Sequence, residues 1–270
     1  MGATGSVERG DGTRVTYEID GAAADREPSI VLVHGITEHR GTWGPVVPGL
    51  AAEHQVVRVD LRGHGESSDA AEYGIEALAG DVVAVVEHLG IDRPHLVGHS
   101  LGGAVVTFAA AAMPVRSVLN VDQPLQLWEI AALLRSIEAE LRSPGFHTLL
   151  ASVFDGLGIE TVPEPEQTSL RALHASARPE IVLGIWDTLL TSTANELASA
   201  VEAALGAIDA PYLSLHGSDP GDEYEAWLQR LLPTATVEVW PGLGHWLHLA
   251  APDRFVARVN TWTVGATAGW

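Results

Sequence analysis

The sequence predicts an α/β domain with a mostly parallel central sheet, helices on both faces, and an all-helical insertion. Three observations predict it. Over residues 1–124, short apolar runs alternate with amphipathic helical patterns, the rhythm of parallel strands joined by crossover helices. That rhythm stops over 125–205, where only helical spacing is found, and resumes over 206–270. One strand-to-helix junction reads Gly98-His99-Ser100-Leu101-Gly102, a G-x-S-x-G in the setting of a serine nucleophile elbow.

Taken in order, residues 13–19 alternate as an edge strand and pair with 6–9 through the turn Gly10-Asp11-Gly12. Residues 30–33 form an apolar run ending at His34-Gly35, and 55–59 another ending at Asp60. Residues 75–89 carry helical apolar spacing, with Gly90 as the stop. The strand 94–97 leads into the elbow, and 103–110 reads as a buried helix start. The next strand, 115–121, is followed by Asp122-Gln123-Pro124. Inside the insertion, helical patterns cover 127–141, 146–157, 167–175, 179–190 and 194–205. Ser143-Pro144-Gly145 and Thr161-Val162-Pro163-Glu164-Pro165 break the chain between some of them. A strand at 212–216, a helix near 222–231, a strand at 236–240 and a last helix after Gly244-His245 complete the core. The insertion is expected to be a lid. It would cover the carboxyl edge of the sheet, where open α/β sheets place their chemistry.

The glycines of the elbow have a physical reason. The chain must reverse so tightly that Ser100 takes a strained conformation, and side chains at 98 and 102 would strike the neighbouring strand and helix. The serine is then presented above the sheet edge, at a helix N-terminus whose N–H groups favour developing negative charge.

Composition narrows the function classes. The 270 residues carry 35 acidic against 15 basic side chains, a net charge of −20. All the basic residues are arginine. Such a surface repels nucleic acid and anionic membranes, so neither nucleic acid nor membrane is expected as a partner. Cysteine is absent, which removes disulfides, thiolate nucleophiles and thiolate metal sites. The histidines show no metal-ligand spacing such as H-E-x-x-H, so neither metal nor other cofactor is expected. The N-terminal residues 1–9 have no basic or apolar signal segment, which makes a cytoplasmic location the expectation.

The elbow, the strand order and the loop Pro241-Gly242-Leu243-Gly244-His245-Trp246 together resemble the α/β-hydrolase fold superfamily over essentially the whole chain. The resemblance implies the order nucleophile, acid, histidine. It assigns Ser100 as nucleophile and His245 as the base, in a glycine-rich loop that gives the ring room. The acid is implied after the strand ending at Leu215-His216, where Asp219 stands in Gly217-Ser218-Asp219-Pro220-Gly221. That loop is one residue shorter than is usual, which makes Asp222 a competitor. Some members carry the acid one strand earlier, where Asp122 stands. The oxyanion hole is implied at two backbone N–H groups, Leu101 after the nucleophile and Ile36 in His34-Gly35-Ile36-Thr37. The segment Asp60-Leu61-Arg62-Gly63-His64-Gly65-Glu66-Ser67 also resembles a family loop and reads as structural.

Serine needs a base to take its proton during attack. Histidine suits that role because its side chain titrates near neutrality, and a carboxylate must fix its tautomer. A serine at the elbow favours acyl transfer over epoxide or haloalkane opening, which needs an aspartate there. The implied activity is hydrolysis of a carboxylic ester or lactone of a small-to-medium apolar or aromatic compound. Carbon–carbon bond hydrolysis, perhydrolysis, hydroxynitrile cleavage and ligand reception with a retained triad are the alternatives. Of the eight tryptophans, Trp128, Trp186 and Trp246 are candidates to line an apolar substrate pocket. Arg40 and Arg135 are the candidates for anion contacts.

Overall fold

A computed structural model describes residues 2–21 and 29–268. Among these residues, eight strands form one sheet: β1 Ala3–Glu8, β2 Arg14–Asp20, β3 Ile30–Val33, β4 Val56–Val59, β5 His95–His99, β6 Ser117–Val121, β7 Tyr212–His216 and β8 Ala235–Val239. Their spatial order is β1-β2-β4-β3-β5-β6-β7-β8. The β1–β2 and β2–β4 pairs are antiparallel and the other pairs parallel. The N-terminal hairpin forms as its alternation predicts. Its second strand is interior, however, because β2 also pairs with β4.

Among the described residues, twelve α-helices connect and cover the sheet: α1 Val47–Ala51, α2 Ile75–His88, α3 Leu101–Ala112, α4 Leu127–Ser136, α5 Glu138–Leu141, α6 Phe146–Asp155, α7 Glu166–Ala175, α8 Pro179–Thr191, α9 Ala194–Ala207, α10 Tyr224–Leu231, α11 Leu247–Ala250 and α12 Pro252–Ala268. The central strands are buried on both faces, and the period of two sorts their side chains. Val31, Val33, Val57, Val59, Leu96 and Val118 point to the face covered by α2, α3 and α9. Ile30, Leu32, Val56, Val97, Leu119 and Val121 point to the other, against Trp43, Leu50, Phe255 and Val259.

Helices α4 to α9 occupy the chain between β6 and β7. The helical pattern predicted for 127–141 is split at Ile137, whose φ of −114° leaves the helical range. The last of these helices packs closely against both α3 of the core and α4, so α9 belongs as much to the core as to the insertion. Its start is fixed by a capping box, in which the Thr193 hydroxyl accepts from the Glu196 N–H and the Glu196 carboxylate accepts from the Thr193 N–H. Arg135 is spent on structure: its guanidinium donates to the carbonyls of Leu189, Leu190 and Ser192 at the end of α8. No helix among the described residues is long and apolar enough to cross a membrane.

The tightest backbone approach lies at the elbow. A Cβ on Gly98 would stand 2.0 Å from the Gly102 carbonyl oxygen, and one on Gly102 would stand 2.2 Å from that of Val33. Both obstacles are backbone and cannot step aside. Gly98→Ala is therefore expected to cost about 3 kcal/mol or more, read as a lowered urea midpoint or loss of folded protein. A near-native midpoint would show that the elbow has room it does not display.

Candidate active site

Ser100 sits between β5 and α3 with φ 52° and ψ −123°. A non-glycine residue rarely adopts this region, and holding it there costs about 1–3 kcal/mol. The surroundings hold it: its N–H donates to the Val121 carbonyl at 2.8 Å, and its own carbonyl accepts from Gly103 N–H at 2.7 Å. Gly103 in turn leaves space for Asn120, whose Oδ1 would stand 2.2 Å from a Cβ there.

The sheet register puts a carboxylate on the neighbouring strand. His99 is level with Val121, so the residue after β6 lies beside the residue after β5. That residue is Asp122, with φ 55°, a region aspartate tolerates better than most. Its N–H donates to the Leu215 carbonyl at 2.7 Å. Its Oδ1 accepts from Gly217 N–H at 2.7 Å, and its Oδ2 lies 2.6 Å from His245 Nδ1. A carboxylate only accepts, so Nδ1 carries the proton of this bond and Nε2 is left as the basic nitrogen. Burial opposes ionisation of Asp122. The hydrogen bonds and charge of His245 and the Gly217 N–H outweigh it and hold the carboxyl below its ordinary range.

Asp219, the expected acid, is elsewhere. It is exposed, and its Oδ1 accepts from the Gly221 N–H at 2.9 Å, an aspartate turn of its own loop. Asp222 is exposed as well. The short 217–219 loop is the reason: Gly217 is pinned by Asp122 and packed on the histidine loop, with a hypothetical Cβ 1.8 Å from the Gly244 carbonyl oxygen. The chain then turns away before Asp219.

The loop carrying Ile36 is braced by neutral imidazoles. Leu61 N–H donates to His34 Nε2 at 3.0 Å and Thr37 N–H to His64 Nε2 at 3.3 Å. Burial keeps both rings uncharged, and it pushes His64 down to about 3. The loop after β4 is engaged in similar bracing. Arg62 pairs with buried Asp81 at 2.6 and 2.7 Å, and Arg40 pairs with Asp60, Glu18 and Glu66.

Ser100, Asp122, His245, Ile36 and Leu101 all line one cavity of about 700 Å³. Trp186 lines it too. Trp128 does not: it meets Trp227 edge to face at 5.7 Å. Trp246 is also not part of the lining. It is buried, and its indole N–H donates to Glu38 Oε1 at 2.8 Å. Adjacency to His245 in sequence had suggested a pocket role, but an indole needs a partner for its N–H when buried, and Glu38 supplies one.

That bond belongs to a buried network the sequence pattern did not reveal. Glu38 faces His99 Nδ1 at 3.2 Å and also accepts from Gly35 N–H at 3.1 Å. His99 Nε2 donates to the His245 carbonyl at 3.1 Å, so the residue before Ser100 grips the backbone of the histidine loop. Burial disfavours charge on both partners, but each stabilises the other's ion. Asp122 adds to the field at His99, and the His245 and His248 rings pack beside it. Glu38 is held well below its ordinary value of 4.5, and His99 is raised above 6.5.

The depressed carboxyl contributes stability above 4.5 that is lost as pH falls through its folded value. The raised imidazole contributes stability below 6.5 that is lost as pH rises through its folded value. Glu38→Gln should therefore destabilise most between these two pH values, by about 3 kcal/mol, with the gap to the parent narrowing at alkaline pH. Urea unfolding at a series of pH values checks this, and a gap that widens with alkalinity would contradict it.

Residues 30–258 match the profile of the alpha/beta hydrolase family. The chain is 26% identical over 251 residues to a putative esterase/lipase from Haemophilus influenzae, covering 86% of this chain and 81% of that one. It is 34% identical over 146 residues to epoxide hydrolase B from Mycobacterium tuberculosis, 52% of this chain and 41% of that one. A match to a dihydrolipoyllysine-residue acetyltransferase component from Pseudomonas putida, 44% identical over 88 residues, takes in 32% of this chain and only 24% of that protein. In fold, the chain is similar to the enol-lactonase from Burkholderia xenovorans LB400, with a TM-score of 0.75 and 23% identity over 94% of this chain and 98% of that one. With the family profile spanning most of its length, the chain belongs to the alpha/beta hydrolase family.

Proposed function

We propose that this protein is a serine hydrolase of carboxylic esters or lactones, working through an acyl-enzyme. The observation that carries the reading is the 2.6 Å contact of Asp122 with His245 Nδ1, in a cavity shared with a serine held at positive φ.

The chemistry follows from those groups. Ser100 Oγ attacks the carbonyl carbon while His245 Nε2 takes its proton, and Asp122 stabilises the imidazolium that forms. The carbonyl oxygen becomes an oxyanion beside the N–H groups of Ile36 and Leu101, and the latter is a first-turn N–H with no partner inside its helix. Collapse breaks the ester C–O bond, and His245 returns its proton to the leaving oxygen. Water then attacks the acyl-serine with His245 again as base, and the acid departs. Opening an epoxide or displacing a halide would need a carboxylate at the elbow to be alkylated. Position 100 is a hydroxyl, which favours the acyl reading over the chemistry named for the mycobacterial relative. The helices of 125–205 serve as the lid of this site, contributing Trp186 to its wall.

Ser100→Ala should abolish turnover of a p-nitrophenyl ester in a folded protein, and a fluorophosphonate should label Ser100 in the parent. Asp122→Asn should lower turnover by up to about 10⁴-fold, whereas Asp219→Asn should stay near the parent. Activity surviving in Ser100→Ala, or a crippled Asp219→Asn beside an active Asp122→Asn, would refute the assignment.

A further inference from the structure

The cavity extends well beyond the reacting groups, and its shape is set by two helices. On α3 the lining residues are Leu101, Ala104 and Phe108, one stripe at i, i+3 and i+7. On α4 they include Leu127, Ile130 and Leu134, a stripe of the same spacing. Seven residues of helix rise about 10 Å, so an apolar passage runs that far along α3, starting at the nucleophile.

The two sides of the site differ in chemistry. Beside His245 the lining includes Gly158, Gly244 and Thr161, with Leu157, whose carbonyl accepts from the His245 N–H at 2.9 Å. A leaving oxygen must depart on this side, because it collects its proton from His245. With the carbonyl oxygen at the Leu101 and Ile36 N–H groups and the leaving oxygen at His245, the apolar lining left for the remaining substituent is that of α3 and α4. Among the described residues, the charged side chains lining the cavity, apart from Asp122 and His245, are Glu76 and Glu160, both exposed, and no arginine lines it. An anionic group in the passage would meet no counter-charge from the described residues that line it.

We infer that the passage along α3 binds the acyl chain of the substrate, a neutral unbranched chain of roughly eight carbons matched to the ~10 Å stripe. The inference rests on the ester reading above and names the substrate class of that same site. Each methylene transferred into the passage leaves water, so specificity should grow with chain length until the stripe is filled.

The test is a series of p-nitrophenyl esters from acetate to dodecanoate, with an eight-carbon ester bearing a terminal carboxylate as the charge control. The kcat/KM should rise by about tenfold or more from acetate to octanoate, then level or fall. The carboxylate-terminated ester should lie well below octanoate. Ala104→Phe, which fills the passage one turn beyond Ser100, should lower the octanoate-to-acetate ratio of kcat/KM by about tenfold. Ile130→Trp should do the same from the facing helix, which covers the case of an Ala104→Phe chain that does not fold. A parent that turns over acetate with no gain toward octanoate would overturn the passage alone. So would variants that leave the ratio unchanged. A parent that hydrolyses no ester of any length would overturn the ester reading, and this inference with it.

Discussion

The site depends on one backbone constraint, the reversal at Ser100. Its positive φ is paid for by neighbours that leave no alternative. Gly98 and Gly102 let strand, helix and β3 meet at backbone contact, and the Val121 carbonyl holds the serine N–H. Once that turn is set, the parallel register of β5 and β6 dictates what stands next to it. Asp122 then reaches the His245 ring because it occupies the next level of the adjacent strand, not because a long loop carries it there.

The histidine loop is held from three sides. Asp122 binds the His245 ring, and His99 binds its carbonyl. The insertion binds its backbone: the His245 N–H donates to the Leu157 carbonyl at 2.9 Å, and the Thr161 hydroxyl donates to the Leu243 carbonyl at 2.7 Å. The helices between β6 and β7 therefore do more than wall the cavity. They share hydrogen bonds with the loop that carries His245, so the loop's position depends on the insertion's packing. Glu38 and His99 add a buried charge pair directly behind Ser100 and His245. A buried pair of this kind is costly to assemble, and here nearly every polar atom of Glu38 is met by a donor, from Gly35, Thr42, Trp246 and His99.

Much of this was legible in the residues. The elbow was readable because the glycines, the serine and the flanking periodicities are local. The parallel strands were readable because burial on both faces leaves continuous apolar runs, as in Ile30-Val31-Leu32-Val33. The acid was not settled, because two aspartates follow adjacent strands and only register and loop length distinguish them. The one-residue shortening at 217–219 was visible, but its consequence required knowing that Gly217 packs on Gly244. Trp128 misled because a place in the insertion is not a place on the cavity wall, and Trp246 because proximity along the chain to His245 is not proximity to the cavity. Glu38 and His99 were invisible as a pair, being 61 residues apart. Even so, a histidine inside the elbow motif and a carboxylate after His34-Gly35 were the cue.

The central claim is that Asp122 holds the proton on His245 Nδ1. A strongly hydrogen-bonded imidazole N–H gives a proton resonance far downfield of the amide envelope, and ¹⁵N-histidine labelling assigns it to its ring nitrogen. The parent and Asp219→Asn should both show this signal on His245 Nδ1, and Asp122→Asn should lose it or move it upfield. A signal that survives in Asp122→Asn and disappears in Asp219→Asn would contradict the account.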